Sequence, residues 1–202
     1  VEVINIELIL ADLEIINNRI NKIAKKAQTS KNKDDLIEYN LLLRIKENLE
    51  KNIPVRKLDF DEEELKILSS FRLITAKPII YVANVDEDTI IAGENEYVKE
   101  VREYAKKENT EVVMICAKIE SELAELELEE KTAFLKELGI EESGLSSLIK
   151  STYSLLGLAT YFTVGPDEVR AWTFRKGMKA PSCAGLIHTD FEKGFIRAEV
   201  MS

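Results

Sequence analysis

The sequence has little of what most metal, redox or membrane proteins need. Two cysteines, Cys116 and Cys183, make no disulfide framework, and with His188 as the single histidine there is no His/Cys cluster for structural zinc. No apolar run approaches the roughly 20 residues that span a bilayer, and no basic-flanked apolar leader precedes the first helical pattern, so neither a membrane span nor a secretory signal is expected. The default compartment is the cytoplasm. A Gly-x-x-x-x-Gly-Lys-Ser/Thr phosphate loop is missing, so the chain contains no backbone cradle for phosphates and no Mg²⁺-ligating hydroxyl of that type. A general excess of positive charge is missing too: 28 Lys plus Arg stand against 37 Asp plus Glu, a net charge of -9. Any nucleic-acid contact must therefore come from a local patch.

What remains is an ordinary globular composition, 45% hydrophobic and 32% charged over 202 residues. The chain starts at Val1 inside an amphipathic pattern and stops at Met201-Ser202 just after a strand-like stretch, which reads as a piece of something longer.

Val3, Ile6, Leu10, Leu13, Asn17, Ile20, Ala24 and Ala27 recur at spacings of three and four, the seam of a long helix. After the polar run 28–35, Leu36, Tyr39, Leu42, Leu49 and Ile53 give a second stripe, so the two helices are expected to pack as an antiparallel hairpin. A short helix with acids at its start should follow over 62–70. From Pro78 the pattern changes. Residues 79–83 and 112–117 read as short strands buried on both faces, with a helix over 94–108 between them and helices near 119–138 and 145–156 behind them. This β-α-β-α-α order is half of a doubly wound sheet. Strand-like segments at 161–164, 169–174 and 194–200 form a small α+β unit at the end. The fold class is therefore α/β.

The residues best placed for chemistry follow the first strand. In open α/β sheets ligands meet the carboxyl ends of the strands, and there stand Asn84, Val85, Asp86 and Glu87. Asn and Asp also start ordinary loops, so geometry has to decide between the two roles. The second strand ends in Cys116-Ala117-Lys118, and together the two ends offer an amide, backbone N–H groups and a lysine stem as a slot for a flat base.

Strand-Asn-x-x-acid, helix, strand-Cys-Ala-Lys resembles the base-recognition half of P-loop GTPase-type domains, where Asn-Lys-x-Asp reads guanine and a Ser-Ala-Lys-like loop covers it. Val85 replaces the lysine and Glu87 the aspartate. With Thr75-Ala76-Lys77-Pro78, the run 168–173, Lys176-Gly177 and the run 187–200, this departure is similar to the Obg-like ATPases, the YchF family. The resemblance implies a helical coiled-coil hairpin domain at 1–73, the second half of a P-loop nucleotide-binding sheet at 74–157, and a truncated TGS domain of β-grasp type at 158–202. It implies ATP as the nucleotide, with the phosphate loop and Mg²⁺ ligands upstream of Val1, so that this piece alone should not hydrolyse ATP. It implies a ribosome or ribosomal RNA as partner. In this pattern Asn84 bonds the adenine, Val85 touches it through its backbone, Cys116, Ala117 and Lys118 line the other side, and Glu87 is permissive.

A second handle is basic. Arg19, Lys22, Lys25, Lys26, Lys31 and Lys33 collect toward the hairpin tip with no acid among them. A solvated helix face and an RNA-contacting tip both explain such a run, and only the second predicts steep salt dependence. Arg170, Arg175, Lys176, Lys179 and Arg197 alternate with Trp172, Phe174 and Phe195, for which the small domain's core is the favoured role. His188 beside Asp190 lacks a nucleophile pattern and suits a turn, the acid-rich stretch 120–142 suits a solvated surface, and Cys116 suits a small buried thiol.

Overall fold

The computed structural model describes residues 1–29 and 33–201, without the side chains of residues 27–29. The chain divides into two compact units, Val1–Pro78 and Ile79–Ser202.

The first unit holds α1 (Glu2–Thr29) and α2 (Lys33–Glu50), a 3-10 turn at Val55–Lys57, and α3 (Glu62–Phe71). Ion pairs Arg19–Glu38 and Lys26–Asp35 join rising positions on α1 to falling ones on α2, so the two helices run antiparallel. The stripe of α1 that enters the core lies one residue earlier than the apolar spacing suggests: Ile9, Asp12, Ile16 and Ile23 are buried, while Val3, Ile6 and Leu10 are exposed. The aspartate explains the shift. Asp12 is wholly buried and accepts hydrogen bonds from the backbone N–H of Ile74 (2.9 Å) and of Thr75 (2.7 Å). A carboxylate so satisfied can occupy a core position that a hydrophobicity count assigns to solvent. Thr75 passes the tie onward: its carbonyl accepts from the Arg56 N–H at 2.9 Å and its hydroxyl from the Val55 N–H at 3.3 Å. Around this network Leu41, Leu42, Ile45, Leu49, Val55, Phe71 and Leu73 complete the core. Asp61 starts α3 with a capping box to Glu64, the local reason that its acid-rich first turn is helical.

In the second unit, β1 (Tyr81–Asn84) and β2 (Val112–Ile115) pair in parallel, with Asn84 opposite Ile115. Parallel neighbours need a long crossover, which α4 (Glu87–Ala92) and α5 (Glu96–Lys107) supply. Gly93 at φ 96° separates those two helices, and Asn95 caps the second by accepting from the Val98 N–H. After β2 come α6 (Ala117–Ala124), α7 (Leu128–Glu137) and α8 (Gly144–Leu155). Ile119 and Leu123 of α6 form a small core with Cys116, against which Phe134, Leu135, Leu138 and Ile140 pack. Gly144 sits against the end of β2 so closely that a Cβ there would lie 2.9 Å from the Met114 carbonyl oxygen.

β3 (Leu158–Val164) and β4 (Val169–Arg175) make an antiparallel hairpin, followed by α9 (Ala180–Ile187) and α10 (Thr189–Lys193). Tyr161 stacks edge-on with Phe174 and donates its hydroxyl to the Cys183 carbonyl, so one face of the hairpin rests on α9. Trp172 lies on that face, bonded to the Thr163 hydroxyl and covered by the Arg170 guanidinium 4.3 Å from its ring.

Three further sequence expectations change. The stretch 119–138 is two helices rather than one, because Glu127 opens a second capping box with Glu130. The first strand is not covered on both faces: Val82 remains 47% exposed in a pair of only two described strands. No strand forms over 194–200, where Ile196 is 90% exposed. Alternating apolar residues make a strand only where a neighbour's backbone can receive the ladder, and neither β3 nor β4 pairs with this segment.

The Asp12 network sets the first prediction. Asp12→Ala removes the acceptor for two N–H groups, one of them wholly buried, and should lower stability by about 2–4 kcal/mol in urea denaturation. Loss of less than about 1 kcal/mol would show that water replaces the carboxylate.

A two-lipped pocket at the strand ends

The ends of β1 and β2 open onto one pocket of about 390 Å³, lined by residues 84–88 and 116–118. It forms because the two strands are parallel neighbours in register, so both chains leave the pair on the same side. Two hydrogen bonds then fix the lips. The Val85 N–H donates to the Ile115 carbonyl at 2.8 Å, extending the ladder one step beyond the strand. The Ala117 N–H donates to Asn84 Oδ1 at 3.1 Å, tying the side chain at the end of one strand to the first turn of the helix after the other.

That second bond decides the chemistry Asn84 can offer. An amide oxygen that accepts from a backbone N–H leaves the NH₂ group as the outward function. Among the described residues the NH₂ has no partner, so Asn84 presents a donor at the pocket. Ala117 belongs to the first turn of α6, whose leading N–H groups have no carbonyl within the helix. The helix's N-cap is Cys116, which makes no side-chain cap bond and, 4% exposed, is the buried residue among those lining the pocket.

The acids divide. Asp86 is the N-cap of α4, accepting from the Thr89 N–H at 2.8 Å. Bonding to the Thr89 side chain, and then to its backbone N–H, holds the Asp86 carboxyl below its ordinary value of 3.8. Glu87 crosses the pocket mouth to Lys118, with Oε1 at 2.6 Å from Nζ. The hydrogen bond that the Lys118 ammonium donates to Glu87, and then the negative charge of that carboxylate, raise the ammonium above its ordinary value. Sequence spacing placed Asn84, Val85, Glu87, Cys116, Ala117 and Lys118 around one slot, and the structure brings all six together. The sequence spacing misses the Asp86 cap, whose signal is an Asp with Thr three residues on, and the Glu87–Lys118 pair, which no local pattern announces because 31 positions of chain, 118 less 87, separate the partners.

The hairpin cations are less uniform than the sequence run. Arg19 is engaged by Glu38 and lies 4.9 Å from the Phe71 ring, and Lys26 is held by Asp35, which raises its ammonium above the ordinary value. Lys22 and Lys33 are exposed, with no partner among the described residues. Lys25 has a partner of its own. Lys31 lies outside the described residues. Among the described residues no group of three His, Cys, Asp or Glu side chains could hold a metal ion, and no helix is long and apolar enough to cross a membrane.

Comparison with known proteins gives a consistent picture. The family model YchF-GTPase_C, described as a protein of unknown function (DUF933), matches residues 158–202. The ribosome-binding ATPase YchF of Bacillus subtilis is 58% identical over the whole of this chain, which covers 55% of that protein. The protein of the same name from Escherichia coli O157:H7 is 46% identical over the same share of each. The Schizosaccharomyces pombe YchF GTPase structure aligns with 96% of this chain and 53% of its own at a TM-score of 0.83 and 33% identity. The chain thus spans about half the length of the curated relatives it matches.

The Asp86 cap is testable by pH. A carboxyl with a lowered pKa stabilises the fold fully above its unfolded value, and that contribution disappears as pH falls through the folded one. The Thr89 amide resonance should therefore titrate with a midpoint below 3.8, and Asp86→Asn, which caps without ionising, should abolish the titration. A Thr89 midpoint at or above 3.8 would show that the cap does not form in solution.

Proposed function

Because the chain belongs to the YchF family, we propose that it carries the base-recognition part of a ribosome-associated ATPase, with the two-lipped pocket receiving the adenine of ATP. The observation that carries this reading is the Ala117 N–H bond to Asn84 Oδ1, which turns the Asn84 NH₂ toward the pocket as a donor. Purine N7 is an acceptor in both adenine and guanine, so the amide identifies a purine without choosing between them. Val85 offers backbone contact beside it, Cys116 and Ala117 close the opposite lip, and the Lys118 stem covers the slot. An open pocket of about 390 Å³ is within the range of small-molecule sites.

Within the same reading the chain divides into a hairpin domain at 1–73, the second half of a nucleotide-binding sheet at 74–157, and part of a TGS domain at 158–202, the stretch the family model matches. In the longer protein Mg²⁺ bound with ATP would supply charge neutralisation at the phosphates. In this reading the chain's own residues bind and orient the base through Asn84 and the two lips of the pocket. Phosphate handling and hydrolysis belong to the longer protein. A ribosome-associated protein of this kind works in the cytoplasm.

Asn84→Ala should weaken adenosine binding to this chain up to about tenfold, the usual scale of one lost hydrogen bond. The readout is the Ala117 and Lys118 amide shifts during titration. In a full-length homologue the equivalent change should lower ATP affinity by calorimetry. Unchanged binding in both would remove the base slot.

A second reading has its own observation. Lys22 and Lys33, toward the tip end of the hairpin, are exposed and have no partner among the described residues, and relatives are named ribosome-binding, so the hairpin serves as an RNA-binding module independent of nucleotide. Lys22→Glu with Lys33→Glu should reduce co-sedimentation with ribosomes at low salt, whereas Arg19→Gln should matter less because Glu38 already neutralises that charge. Equal sedimentation of the double variant would exclude this tip as the contact.

A further inference from the structure

The Glu87–Lys118 ion pair joins the same two lips as the Asn84–Ala117 bond, so the pocket is tied twice: once by a neutral amide and once by opposite charges across its mouth. The two ties act on different edges of a base. An NH₂ donor reads the N7 that all purines share. A carboxylate reads something else. Guanine carries N1–H and N2–H₂ donors on one edge, for which a free carboxylate offers two acceptors, while adenine has an acceptor at N1 and no amino group at C2. Whether the pocket favours guanine therefore depends on whether an acid at its rim is free to turn inward.

Three acids line the pocket, and they differ in this respect. Asp86 is committed to the Thr89 N–H at 2.8 Å as the cap of α4. Asp88 has no partner among the described residues. Glu87 is held at 2.6 Å by Lys118, and Lys118 is the residue next to the one that Asn84 grips. The lysine is thus anchored at the lip through its own backbone neighbour, and its ammonium is set opposite the acid.

We propose that Lys118 sets the base selectivity of the pocket by pairing with Glu87 and so withdrawing that carboxylate from the donors of a guanine edge. Resting on the base-slot reading above, this makes Lys118 a positioning residue that acts through Glu87. The pair is solvent-accessible, with side chains 69% and 39% exposed, so its strength is modest and screened by salt. A modest pair suits a bias in selectivity.

The test uses this chain with adenosine and guanosine as probes, read by amide shifts of residues 84–88 and 116–118. Lys118→Met keeps the aliphatic stem and removes the charge. It should raise the guanosine-to-adenosine affinity ratio about two- to fivefold, the range open to an exposed ion pair. Lys118→Arg, which keeps the pairing, should restore the original ratio. Adding Glu87→Gln to Lys118→Met should cancel the gain, and raising the salt toward 1 M should move the unaltered chain toward the Lys118→Met ratio. The proposal is overturned if the ratio is the same in Lys118→Met and the unaltered chain, or if the gain survives Glu87→Gln and disappears instead with Asp88→Asn. The Asn84→Ala chain separates this from failure of the slot itself. If Asn84→Ala weakens both nucleosides while Lys118→Met leaves the ratio fixed, the slot stands and the ion-pair account falls. If neither nucleoside perturbs these amides, the slot falls and the ion-pair account falls with it.

Discussion

One hydrogen bond, from the Ala117 N–H to Asn84 Oδ1, gives the second unit its chemical sense. Parallel pairing of β1 and β2 would bring two chain ends to the same side under any sequence. It would not fix how a side chain there is oriented. An amide can present either its oxygen or its nitrogen, and the backbone N–H at the start of α6 selects the nitrogen by occupying the oxygen. Everything about the pocket then follows in order. The register brings residue 84 opposite 115, the ladder continues through Val85, the Asp86 cap turns the chain away into α4, and Glu87 is left at the rim facing Lys118.

The first unit solves a different problem with a similar device. A segment with no regular structure, residues 72–78, must be held against two long helices, and its backbone N–H groups need acceptors. Asp12 supplies two of them from inside the core, and Thr75 relays the restraint to the 3-10 turn. In both units a polar side chain of a regular element accepts from the backbone of a segment remote in sequence. The difference lies in exposure: Asp12 is sealed and so can only be structural, whereas the Asn84 amide keeps one face open.

How far the sequence disclosed this depends on the range of the interactions concerned. The strands, the crossover and the clustering of residues 84–87 with 116–118 were legible because short β-branched runs ending in Asn and Cys-Ala-Lys are local signals, reinforced by the family resemblance. The position of the helix stripe was not, since an apolar count treats Asp12 as a surface residue and cannot know that Ile74 and Thr75 bring their N–H groups to it across more than sixty positions of chain. The expected strand at 194–200 failed for the converse reason. Its alternation is genuine, but a ladder requires an edge to join. The basic run at the hairpin likewise looked uniform in one dimension, and only the antiparallel return of α2 shows that Glu38 and Asp35 neutralise two of its members.

The crossover between β1 and β2 has a consequence for biosynthesis. Asn84 and Ala117 stand 33 positions apart, so at translation rates of about 5–20 residues per second the asparagine leaves the peptidyl-transferase centre roughly 2–7 s before its partner exists. During that interval the Asn84 oxygen lacks the backbone N–H that later occupies it. The two-lipped pocket is therefore absent from the nascent chain until Ala117 has been added, and its closure waits on the crossover helices that precede α6.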